Sequence, residues 1–100
     1  MKAGGLWRAH QIATIAEGAG LGYRVDGVRG ETKVSNTAAA HLATSLRNPV
    51  APGLMQHARL AEDIVSEGGL IFADGRVSVP EAPGLGLKVR EYGDLVNVYK

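Results

Sequence analysis

The chain has 100 residues, no cysteine and a net charge of +1, with 45% apolar and 21% charged residues. That length makes one domain with a thin margin for a core of its own, and the composition is too apolar for a disordered chain. The lack of cysteine excludes disulfides and thiolate metal sites, and eleven basic residues scattered among ten acidic ones give no electrostatic case for nucleic acid or an anionic membrane.

Met1-Lys2-Ala3-Gly4-Gly5 lacks the apolar run of a secretory signal. No window approaches the roughly 18 to 20 apolar residues of a membrane span, so the expected location is the cytoplasm. Aromatic residues are only 5% of the chain, and abundant Ala and Gly bury little area at about 25 cal/mol per Å². Such a chain gains from burying surface against another copy.

In chain order, Leu6 to Ala19 reads as a helix. Leu6, Ala9, Ala13 and Ala16, with Trp7, Ile12, Ile15 and Ala19, recur at three-to-four spacing. Gly18 and Gly20 end it. Leu21 to Asp26, with β-favouring Tyr23 and Val25, reads as a short strand. Gly27 to Lys33 is a polar loop. Ser35 or Asn36 caps a second helix from Thr37 to Leu46, which Asn48-Pro49 terminates. Val50 to Met55 is expected to hold the next strand, although Pro49 and Pro52 cannot donate to a ladder. His57 to Glu67 reads as a third helix, with Leu60, Ala61, Ile64 and Val65 as its buried stripe.

Gly68-Gly69 breaks the pattern. Leu70 to Ala73, Asp74-Gly75 and Arg76 to Val79 then form a β-hairpin, because Asp-Gly readily adopts the type I′ turn. Short strands are expected at Leu87 to Val89 and at Val96 to Tyr99, with Tyr92 and Tyr99 as packing or interface residues. The order predicts an α/β architecture of successive parallel units. Gly20-Leu21-Gly22 is no dinucleotide loop, since a phosphate cradle needs the strand before the glycines and a helix after them. His10, His41 and His57 fall on different predicted helices without metal-ligand spacing, and His41 reads as a helix-packing side chain.

Several phrases occur in an order that resembles the closing part of an enolase-superfamily barrel of the muconate cycloisomerase and mandelate racemase type. Lys2-Ala3-Gly4-Gly5 is similar to the Lys-x-Gly-Gly phrase at the end of barrel strand six. Ala16-Glu17-Gly18-Ala19-Gly20 resembles the end of the helix that follows. Thr37-Ala38-Ala39-Ala40-His41-Leu42-Ala43 looks like the next helix, and Pro83-Gly84-Leu85-Gly86 like the family's tail. The fold this implies is a partial (β/α) barrel segment with two to three βα units plus the C-terminal hairpin. The implied chemistry is abstraction of a proton alpha to a carboxylate, with Mg²⁺ or Mn²⁺ stabilising the enediolate.

Within the resemblance, Lys2 matches the lysine acid/base of strand six. Asp26 and Glu31 stand at the strand-end face where barrel enzymes place their chemistry, and two carboxylates there suit a divalent cation. The alternative is a solvated loop in which Arg24, Arg29 or Lys33 pairs with them. Gln56 and His57 are candidates for a pocket at the end of strand eight, where an acid of the cycloisomerases aligns with Gly53. The acidic ligands of strands three to five and the partner lysine of strand two have no counterpart.

Two readings follow. In the first the chain is non-catalytic by itself, needs no cofactor, and works as an oligomeric structural, interaction or binding protein. Two to three units cannot close a barrel, so a homo-oligomer, with a twofold dimer favoured, is expected to seal the open edges. In the second it is a metal-dependent isomerase, epimerase or lyase acting on a small carboxylate, its site completed at an interface or by a partner chain. A piece of a complete enzyme is a further alternative.

Overall fold

A computed structural model describes residues 2–47, 49–50, 53 and 56–90, without the Gln56 side chain. Helix α1 spans Leu6–Gly18, close to the range its spacing predicts. It leads through Gly20, whose φ of 70° suits only glycine, into an extended segment. There Val50 N–H donates to Tyr23 O at 2.8 Å, Gly53 N–H to Val25 O at 3.2 Å, and Gly27 N–H to Gly53 O at 2.9 Å. The two stretches therefore run parallel, with Asp26 bridged to Gly53, and helix α2, Lys33–Ser45, crosses between them. This is one βαβ-like unit whose ladder is too short to form named strands among the described residues.

Helix α2 begins earlier than Ser35 or Asn36. Its N-cap is Thr32, which makes no side-chain cap bond. Asp63 does that work instead, accepting the Lys33 N–H at 2.7 Å from thirty residues away and the Val65 N–H at 3.1 Å. Asn36 and Thr37 are fully buried inside the helix.

The predicted third helix is not formed. Gln56–Arg59 makes one 3₁₀ turn, and Val65–Gly68 is strand β1. The Leu60, Ala61, Ile64 and Val65 periodicity loses to tertiary pairing: β1 runs antiparallel to β4, Leu87–Val89, and Arg90 N–H donates to Ile64 O at 2.8 Å. The hairpin forms as its sequence predicts. Strands β2, Ile71–Ala73, and β3, Arg76–Ser78, pair antiparallel. Asp74 and Gly75 have φ of 51° and 72°, the two positive values that a type I′ turn requires. The expected strand at Val96 to Tyr99, with Pro52, Met55, Tyr92 and Tyr99, lies outside the described residues.

The core is small. Val25, Ala40 and Leu70 form its centre, with Leu42, Leu46, Val77 and Val79 packed around them. Polar anchors supplement it, since the buried Leu70 N–H donates to Thr37 Oγ1 at 3.0 Å. His41 Nε2 lies 3.4 Å from Leu85 O, which fits its expected packing role. Meanwhile Trp7, Ile12 and Ile15 on α1 are 73%, 57% and 73% exposed.

Candidate functional site

A cleft of about 600 Å³ opens between the start of α1, the extended segment and the flank of α2. Its walls are apolar where Ile12, Ala13, Ala39 and Leu42 face it, and its rim carries Lys2, Arg24, Asp26 and Glu31. The fold thus brings together three of the predicted site residues, Lys2, Asp26 and Glu31. His57 does not line this cleft, and the Gln56 side chain lies outside the described residues.

Each acidic residue is held differently. Asp26 Oδ1 accepts the N–H of Gly27 at 2.9 Å, and Oδ2 pairs with the Arg24 guanidinium at 3.1 Å. Both side chains are about half exposed, so this ion pair positions more than it stabilises. A Cβ on Gly53 would meet Asp26 Oδ1 at 2.2 Å, so the carboxylate fills the space a side chain at 53 would need. Glu31 is turned inward. Its N–H donates to Val28 O at 3.1 Å across a turn whose third residue, Gly30, has φ of 90°, the left-handed value of a type II turn.

Glu31 as a residue is only 7% exposed, and its carboxylate accepts at Oε2 from Asn36 Nδ2 at 3.1 Å. The other end of that amide, Asn36 Oδ1, accepts the backbone N–H of His57 at 2.9 Å and lies 2.9 Å from His57 Nδ1. Asn36 is the residue that sequence reasoning missed, having read it as a helix cap. The available signal was its place one turn inside an alanine-rich helix, where a short amide has no local backbone use.

Lys2 is exposed at the rim. A second cleft, of about 560 Å³, lies at the opposite end of the extended segment. There Glu17 accepts from the Tyr23 hydroxyl and from the Arg47 N–H at 3.0 Å, tying the end of α1 to the end of α2. His10 stacks on Trp7, with centroids 6.4 Å apart.

Both carboxylates have protein partners in this structure. Asp26 is engaged by a guanidinium and Glu31 by an amide, and no group of three or more His, Asp or Glu side chains suited to a metal occurs among the described residues.

The family model of the enolase C-terminal domain-like family matches residues 1–93, and the chain belongs to that family. It is 46% identical over 87 residues to the L-Lys-D/L-Arg epimerase of Methylococcus capsulatus strain Bath, covering 87% of this chain and 24% of that enzyme. The crystal structure of dipeptide epimerase from Methylococcus capsulatus complexed with Mg ion superposes with a TM-score of 0.78 at 41% identity, over 87% of this chain and 25% of that one. Muconate lactonizing enzyme from Klebsiella pneumoniae gives a TM-score of 0.80 at 33% identity, over 98% and 27%. The chain spans about a quarter of the length of these relatives. Its α/β fold with small sheets is that of a segment of the enolase C-terminal barrel domain. No helix among the described residues is long and apolar enough to cross a membrane.

Proposed function

We propose that this chain is an interaction module: a piece of barrel wall built on one βαβ-like unit, without catalysis by itself, that works in a cytoplasmic assembly whose simplest form is a homodimer. The observation that carries this reading is the uncovered outer face of α1, where Trp7 and Ile15 stand in solvent, both 73% exposed, although the same helix buries Ala13. Burying such side chains yields about 1.5 to 3 kcal/mol each, and a twofold pair is the commonest way for one chain to do it. Light scattering coupled to size exclusion tests it. A dimer at micromolar concentration, with Trp7 fluorescence shifting to the blue as it forms, is expected. A stable monomer with unchanged emission sinks the reading.

A second reading is favoured by the convergence of Lys2, Asp26 and Glu31 on one cleft. Here the chain contributes that wall to a composite site for a small carboxylate, and the cation ligands come from the partner. Its chemistry is the family's proton abstraction alpha to a carboxylate. Calorimetry with Mg²⁺ or Mn²⁺ on the assembled protein, followed by α-proton exchange of a dipeptide in D₂O, separates the two. Heat and exchange support a composite site, whereas neither leaves the interaction module alone.

A further inference from the structure

The parallel ladder uses only one side of the extended segment. Tyr23 O, Val25 O and Gly27 N–H face the stretch at Val50 and Gly53. Backbone groups alternate sides along an extended chain, so the N–H and C=O of Gly22, Arg24 and Asp26 point the other way. Among the described residues none of these groups has a hydrogen-bond partner. All three residues are exposed, while Val25 between them is buried. Such an edge is a template for an added strand, and its side chains decide which strand fits.

Arg24 and Asp26, two residues apart, share one face of the strand and already meet at 3.1 Å within the chain. Let two copies of the edge run antiparallel about a twofold axis at Val25. Arg24 then stands opposite the partner's Asp26, and Asp26 opposite the partner's Arg24, at positions that exchange backbone hydrogen bonds. Side chains so placed have Cβ atoms about 4.5–5.5 Å apart, within reach for opposite charges to pair. An axis at Arg24 would instead set two guanidiniums against each other, so charge selects the register. We infer that the free edge at residues 22–26 is a self-complementary docking strand whose occupant is a second copy of this chain, joined antiparallel by two reciprocal Arg24–Asp26 pairs. Because Arg24 and Asp26 line the cleft, each cleft gains the partner's guanidinium beside its own.

The inference rests on the proposed homodimer and names the edge that joins it. Helix α1 is linked to this segment at Gly20 and shares the cleft with it at the other end, so both can contribute to one contact. Charge exchange on the full chain, read by light scattering with size exclusion at micromolar concentration, is the test. Arg24→Asp leaves two acids on the edge and Asp26→Arg two bases, so each variant alone is expected to be a monomer. Mixed one to one, the two become complementary in the same register and are expected to form a heterodimer. Arg24→Asp combined with Asp26→Arg in one chain keeps the pair within the chain, restores both pairs across the axis in reverse, and is expected to dimerise as the original does. Single variants that still dimerise place the contact elsewhere, which overturns the edge and leaves the interaction module standing. A mixture or a double exchange that stays monomeric also overturns the edge, and a monomeric original chain overturns both.

Discussion

The two long helices have equal length and unequal support. Helix α2 is anchored by the chain that follows it: Asp63 caps its first turn, His57 docks on Asn36, and Leu70 N–H meets Thr37. Helix α1 buries Ala13 as its one fully covered residue and leaves Trp7, Ile12 and Ile15 in water. The contrast teaches that the later two-thirds of the chain has settled its helix with its own groups, much of it through polar contacts. The first third leaves an apolar side of its helix exposed.

The largest effect should come from α2. Thr37→Val keeps the shape of a fully buried side chain but strands the Leu70 N–H, which costs about 2 kcal/mol and is read as a lower urea midpoint. Asp63→Ala follows, at about 1 kcal/mol for a lost helix cap, with faster hydrogen exchange in the first turn of α2. On α1 the expected result is reversed in kind. Trp7→Ser combined with Ile15→Ser changes monomer stability by no more than about 0.5 kcal/mol, yet abolishes dimer formation in light scattering. A large loss of monomer stability would show that α1 is as self-sufficient as α2.

The smallest effect belongs to the exposed Lys88–Glu67 pair, 2.9 Å apart across β1 and β4. The hydrogen bond from Lys88, then its charge, lowers the Glu67 carboxyl below its usual 4.5, and Glu67 raises the Lys88 ammonium above 10.5. The Glu67 contribution is present above pH 4.5 and fades as pH falls through the lowered value. The Lys88 contribution is present below pH 10.5 and fades as pH rises through the raised one. Both groups lie in solvent, so Glu67→Gln should leave the thermal midpoint unchanged in 0.15 M salt while removing the displaced Lys88 titration by NMR.

Where local chemistry decides, the sequence was legible. Asp74-Gly75 specifies a turn with two positive φ values, and the α1 range follows from spacing and its terminal glycines. The third predicted helix shows the limit. Leu60, Ile64 and Val65 have helical spacing, but Asp63 is drawn to the start of α2 and Val65–Gly68 pairs with Leu87–Val89. Neither partner is near in sequence, so no local window contains the competing interaction. Asn36 failed for the same reason: a good cap residue was assigned to a helix end, while the cap came from thirty residues downstream. The three cleft residues were found through family phrases, because charge and spacing alone leave Asp26 and Glu31 equally at home in a solvated loop.

The close approach of Gly53 and Asp26 has a consequence for rebuilding this cleft. An acid grafted at position 53 would start 2.2 Å from Asp26 Oδ1 and 2.9 Å from Arg24 Nη2, and both atoms are the free ends of half-exposed side chains. The newcomer would therefore displace the Arg24–Asp26 pair and compete for its guanidinium, so the arginine decides which strand end holds the paired acid.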